Sequence, residues 1–174
     1  NDDRVRAADE IAASGADAVI IQDMAVAEVF ARRYPDLPRH ASTQTAVHDL
    51  YGAQYLEGLG FKTVVLAREL NLHQVKEIYD TVRAEGICGP SGRQVRIEMF
   101  AHGALCMAVS GKCYMSLQTY GQSANRGACF QVCRRGYEVT DLETGQQLRL
   151  DNKYIMSPKD ICTIEFLDKM VESG

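Results

Sequence analysis

Between Met99 and Tyr137 the sequence contains no aspartate or glutamate. The same stretch carries Lys112, Arg126, Arg134 and Arg135, a local charge of +4 in a chain of −4, so the remainder sums to −8. Such a separation marks a surface or cavity that meets something negative. Other absences narrow the class further. No run of 18 apolar residues exists, so no membrane-spanning helix is expected. The opening Asn1-Asp2-Asp3-Arg4 has neither the layout of a signal peptide nor an initiator Met, and it reads as the edge of an internal piece of a longer chain. There is no His-Glu-x-x-His and no Gly-x-Ser-x-Gly elbow, and Ser110-Gly111-Lys112 lacks the upstream glycine of a phosphate loop. Zincin, nucleophile-elbow and P-loop chemistry therefore have no support. The paired Cys-x-x-Cys of a zinc ribbon and the ferredoxin cysteine run are also missing.

What is present is a set of six cysteines: Cys88, Cys106, Cys113, Cys129, Cys133 and Cys162. Without an export signal a disulfide framework is not expected, and a cytoplasmic protein with a soft-metal or cluster site is the better reading. Cys88, alone in a loop, reads as a small apolar residue. The other five sit in or just after the acid-free stretch, where arginines and a glycine-rich backbone would offset the negative charge of a thiolate-bound cluster. Ser157-Pro158 reads as the start of a helix running through Met170. That places Cys162 in the helix's first two turns, where the dipole favours a thiolate.

The first hundred residues repeat one plan, a helix, a glycine and a short apolar strand. Strands are expected near 17–22, 39–43, 63–67 and 95–100, with helices between them. Asn71 and Gln74 form a capping box at one helix start. This alternation implies a parallel sheet, closed as a barrel or open and doubly wound. A whole barrel takes about 250 residues, so the expected fold is α/β, a partial (β/α) TIM-like barrel. Residues 1–102 carry its repeats, 103–135 a Cys-rich insertion, and 136–174 a β-hairpin, turning near Glu143-Thr144-Gly145, and a returning helix. Gln22, Asp23, Arg68, Glu69 and Glu98 lie in or just past strands, where barrel active sites are built. Glu98 alternates with apolar neighbours and equally suits an outward, solvated position. His102 follows the last strand, and His40 and His48 flank a strand end.

Three segments carry a resemblance. Glu98-Met-Phe-Ala-His-Gly-Ala-Leu-Cys106 continuing to Ser110-Gly-Lys-Cys113-Tyr-Met-Ser116 resembles the signature of the collagenase-like peptidase family, peptidase family U32. Asn125-Arg-Gly-Ala-Cys129-Phe-Gln-Val-Cys133-Arg134 and Asn152 through Asp160-Ile-Cys162 resemble its second and third blocks. The resemblance implies a barrel-type fold and, as in several members, an oxygen-labile 4Fe–4S cluster. Its ligands would be Cys106, Cys113, Cys129 and Cys162, with Cys133 in reserve. The third block is most similar to the tRNA uridine hydroxylation branch.

The function expected on this basis is iron–sulfur-dependent 5-hydroxylation of a tRNA wobble uridine or another RNA, with a small-molecule hydroxyl donor. Arg126, Arg134 and Arg135 would meet phosphate, and Glu98 and His102 are the candidate catalytic groups. The alternatives are a peptidase, assembled from Ser110, Ser116 and His102, and a non-enzymatic cysteine–metal module that binds RNA or a partner. A quinone hydroxylation role would leave the basic patch without a reason.

Overall fold

The computed structural model describes residues 2–90, 92–151, 156–157 and 159–174. They form two compact units, 1–100 with 166–174, and 101–165.

The first unit opens with α1 (Asp2–Ala13), β1 (Val19–Ile21), α2 (Met24–Arg33) and β2 (Arg39–Ala41). It continues with α3 (Leu50–Gly58), β3 (Thr63–Val65), α4 (Leu72–Ala84) and β4 (Arg96–Glu98). Helix boundaries follow local chemistry. The Asp23 carboxylate accepts the N–H groups of Ala25 and Val26 to start α2, and Arg32 and Arg33 sit in its last turn, where the dipole favours cations. The expected Asn71–Gln74 capping box starts α4. Gly60 ends α3 at φ +86°, and a side chain there would also collide with Arg39.

The four strands are parallel, in the order β1-β2-β3-β4. Neighbours in space are neighbours in sequence, without the reversal of a doubly wound sheet. In register, Ile21, Ala41, Val64 and Ile97 form one row. Strand side chains alternate between faces, and this row joins Phe30 of α2, Ala53 and Leu56 of α3, and Val75, Ile78 and Val82 of α4 in one core. The adjacent row, Ile20, His40, Thr63 and Arg96, points to the other face. All four expected strands are found, parallel and adjacent; they form an open sheet, with no closed barrel among the described residues.

Glu57 fastens α3 to the segment before β4. Its side chain is 2% exposed and Oε1 accepts the N–H of Val95 at 3.2 Å. Burial pushes this carboxyl above the usual carboxylate range, opposed by the N–H groups of Val95 and Gly89. Between the ordinary and the raised pKa the native state holds a proton that the unfolded chain has released, so stability falls as pH rises through that window. Glu57→Gln keeps a carbonyl acceptor and has no such proton to lose. Thermal melts of the intact protein should show the native form losing ground to Glu57→Gln as pH rises; parallel curves would refute the assignment.

The second unit contains β5 (His102–Gly103), α5 (Met115–Tyr120), β6 (Tyr137–Thr140), β7 (Gln147–Leu150) and β8 (Ile161–Cys162). β6 and β7 make the expected hairpin, its turn closed by the Asp141 carboxylate on the N–H groups of Glu143 and Thr144. After α6 (Leu167–Glu172) the chain ends in the first unit. Among the described residues no helix is long and apolar enough to cross a membrane.

The helix expected from Ser157-Pro158 is a correction. Pro158 and residues 152–155 of the third block lie outside the described residues, but Cys162 is on a β-strand and α6 begins only at Leu167. Ile161 and Thr163 are β-branched, and the Thr163 N–H and Oγ1 both donate to Ala101 O, at 3.2 and 2.8 Å. Tertiary pairing of stiff side chains outweighs the local start signal. No helix dipole acts on Cys162.

Candidate cysteine-rich centre

The second unit is built around its cysteine-bearing segments. β5 and β8 pair antiparallel, with His102 directly opposite Cys162 and Gly103 opposite Ile161. Cys106 follows β5 by three residues, and Cys133 lies in a 3-10 turn, Val132–Arg134. One side chain ties these three segments together. Arg134 donates from Nε to Ser157 Oγ at 3.1 Å, from Nη1 to Asp160 at 2.5 Å and from Nη2 to Leu105 O at 3.4 Å. Its guanidinium is a rigid fork of donors, suited to holding several acceptors at once. The side chain is 14% exposed. Ser157, expected as a helix cap, is buried and serves as one of these acceptors.

A second tie joins the remaining two cysteine segments. Cys113 sits just before α5, and its sulfur accepts the Met115 N–H at 3.4 Å. One residue later, Ser116 Oγ accepts the N–H of Phe130, next to Cys129, at 3.0 Å. α5 packs against the 3-10 turns Ala124–Arg126 and Val132–Arg134, which links the two groups. Ser116 is therefore a buried fastener, and Ser110 is fully buried in a left-handed conformation at φ +50°. Neither hydroxyl is presented to a peptide.

All six thiols are free of disulfides; Cys106, Cys113 and Cys133 are partly buried, while Cys88, Cys129 and Cys162 are exposed. Among the described residues no three His, Cys, Asp or Glu side chains gather closely enough for a single metal ion. A four-iron cluster takes one thiolate per iron, a wider spread than the ligands of one ion. The donor set, several thiols in a segment without carboxylates and with a backbone N–H already on one sulfur, has the chemistry such a cluster uses.

The three arginines expected to meet phosphate separate into two kinds. Arg126 and Arg135 are exposed; Arg135 stacks on the Tyr120 ring at 4.8 Å and donates to its hydroxyl. Arg134, expected with them as a phosphate contact, is occupied by Asp160, Ser157 and Leu105.

In the first unit, Glu98 ends β4 with an exposed side chain, in register with Val65. Past β2 and β3 respectively, His48 and Glu69 form a pair, with Nε2 and Oε2 3.5 Å apart. Ala46 O is 2.8 Å from His48 Nδ1; a carbonyl only accepts, so Nδ1 carries the proton and Nε2 faces the carboxylate. Sequence reasoning placed both Glu69 and His48 at strand ends but did not pair them. Arg68 lies over the Phe100 ring at 4.9 Å, and Asp23 is spent as the α2 cap.

A profile of Peptidase family U32 matches residues 2–174. The chain belongs to this family. Among U32-related proteins, it is 55% identical over 135 residues, 78% of the chain, to a protein of Porphyromonas gingivalis named Collagenase. It is 38% identical over 161 residues, 92% of the chain, to the 23S rRNA 5-hydroxycytidine C2501 synthase of Escherichia coli. It is 32% identical over 160 residues, 90% of the chain, to tRNA hydroxylation protein P1 of Bacillus subtilis. The matched regions span 32%, 22% and 35% of those proteins, about a third of their length or less. No solved structure matches the chain significantly. U32 membership agrees with the resemblance carried by the Cys106–Cys113, Cys129–Cys133 and Cys162 segments.

Proposed function

We propose that this U32 chain is part of an iron–sulfur-dependent enzyme that hydroxylates RNA, with 5-hydroxylation of a tRNA wobble uridine as its reaction and the cytoplasm as its location. The observation that carries the reading is the second unit itself. An acid-free, cation-bearing stretch folds with the Cys162 segment so that Arg134 ties the segments bearing Cys106, Cys133 and Cys162, and Ser116 ties those bearing Cys113 and Cys129. The names of the ribosomal and transfer RNA hydroxylation relatives support the same substrate class. Cys106, Cys113, Cys129 and Cys162 are the proposed ligands. When bound, a 4Fe–4S cluster supplies one-electron chemistry or activation of a small hydroxyl donor. The protein's own part is positional. Exposed Arg126 and Arg135 meet phosphate, His102 stands across the strand pair from Cys162, and Glu98 offers a carboxylate at a strand's carboxyl end. The sequential parallel sheet is proposed to be an arc of a β/α barrel, completed by further strands.

The 55% identity to Collagenase favours a second reading, a peptidase. Against it stand the buried Ser110 and Ser116. Two measurements decide between them. Intact protein purified without oxygen should contain iron and sulfide, and RNA from cells lacking the gene should lack one hydroxylated pyrimidine. Peptide hydrolysis by metal-free protein, with RNA modification unchanged in the deletion, would overturn the proposal.

A further inference from the structure

α5 presents an unusual surface. Tyr114, Leu117 and Tyr120 recur every three residues along one side of it, and Phe130 lies against Tyr120 with ring centroids 5.1 Å apart. All four are exposed, Tyr114 at 66%. Tyr114, Leu117, Ser123 and Arg126 line a concavity of about 390 Å³, within the range of small-ligand sites. Arg135 lies on the Tyr120 ring, so a cation stands beside this aromatic surface while Arg126 stands in the concavity itself. No acidic residue occurs in 99–137, from which every one of these groups comes.

We infer that this face of the second unit is a stacking site for an unpaired RNA base. Tyr114 stacks on the base in the concavity, and Arg126 and Arg135 hold the flanking phosphates. The inference deepens the RNA reading above and rests on it. Chemistry sets the conformation of the RNA. Duplex RNA buries its base faces and is recognised by shape and phosphate, whereas single strands offer bases that stack on aromatic rings and guanidinium planes. An aromatic stripe bordered by arginines suits the second and is wasted on the first. A negatively charged partner without π-faces would use the arginines and leave Tyr114 idle.

The test uses the intact protein and fluorescence anisotropy with a short labelled single-stranded RNA, the same strand carrying one abasic nucleotide, and its duplex. The single strand should bind more tightly than the duplex. Tyr114→Ala should weaken single-strand binding roughly five- to hundred-fold, the range for one stacked base, and Tyr114→Phe should keep it. On the RNA whose abasic position falls at the site, Tyr114→Ala and the native protein should bind alike. Because Tyr114 is exposed, both variants should melt with the native protein. Salt-dependent RNA binding that ignores Tyr114→Ala and the abasic change, or that favours the duplex, overturns the stacking site and leaves the RNA reading standing. No binding to any of the three RNAs overturns both.

Discussion

Cys113→Ala is expected to abolish RNA hydroxylation and to strip iron from the protein while leaving it folded. Cys113 is partly buried at the head of α5, and its sulfur accepts a backbone N–H, from Met115 at 3.4 Å. Such N–H groups stabilise thiolate charge in iron–sulfur sites. Compared without cluster, the alanine loses one weak hydrogen bond, so the fold should lose no more than about 1 kcal/mol. A cluster needing four thiolates loses a quarter of its attachment. Cys88→Ala is the matched control, since Cys88 belongs to the first unit and pairs through an isolated bridge to Gln94. Iron and sulfide per chain, the visible absorption of anaerobic protein, and mass spectrometry of modified nucleosides give three independent readouts. If Cys113→Ala keeps its iron and its activity, the ligand set is wrong. Stoichiometric zinc in the anaerobic native protein would instead favour a structural metal module.

Arg134→Ala and Arg135→Ala should part company although the residues are adjacent. The first removes a guanidinium that holds Ser157, Asp160 and Leu105 O. Asp160 is about half exposed and rehydrates, which limits the loss. Ser157 is buried, and its hydroxyl is deprived of a charged donor. A cost on the order of 2–3 kcal/mol follows, with cluster retention falling alongside it. Arg134→Lys should not rescue, because one ammonium cannot reproduce the fork. Arg135 is exposed and its contact with the Tyr120 ring is worth about 0.5–1 kcal/mol, so its removal should cost less than that of Arg134. It should instead lower the salt dependence of RNA binding by about one unit, because one phosphate fewer is neutralised. Melting curves and salt titrations on both variants check this, and equal behaviour of the two would contradict the division.

The repeat of the first unit was legible because its signals are local. Apolar strands at Val19–Ile21 and Thr63–Val65, the Asn71–Gln74 box and the glycine after α3 act within a few residues of themselves. The cysteine segments were legible as motifs, and the parallel order followed from alternation. What could not be read was pairing at a distance. Arg134 appeared as one cation among four because sequence records charge and not partners, and its acceptors lie up to 29 positions away. The strand at Cys162 was hidden for the same reason, since His102 supplies its partner. Ser116 resembled a nucleophile until Phe130 was found on its oxygen. His48 needed Glu69 from the next strand's end to acquire a role.

The β5–β8 pair also sets a timetable for synthesis. In the first unit each strand pairs with the one made just before it, so the sheet can grow as the chain leaves the ribosome. In the second unit the β6–β7 hairpin can form the same way, but β5 cannot, because His102 must wait for Cys162, far along the chain. Until then Cys106, Cys113, Cys129 and Cys133 are in a nascent segment whose closing strand does not yet exist. Oxidants reach accessible thiols most easily. Between the synthesis of Cys133 and that of Cys162, these thiols are therefore without the strand that closes their unit.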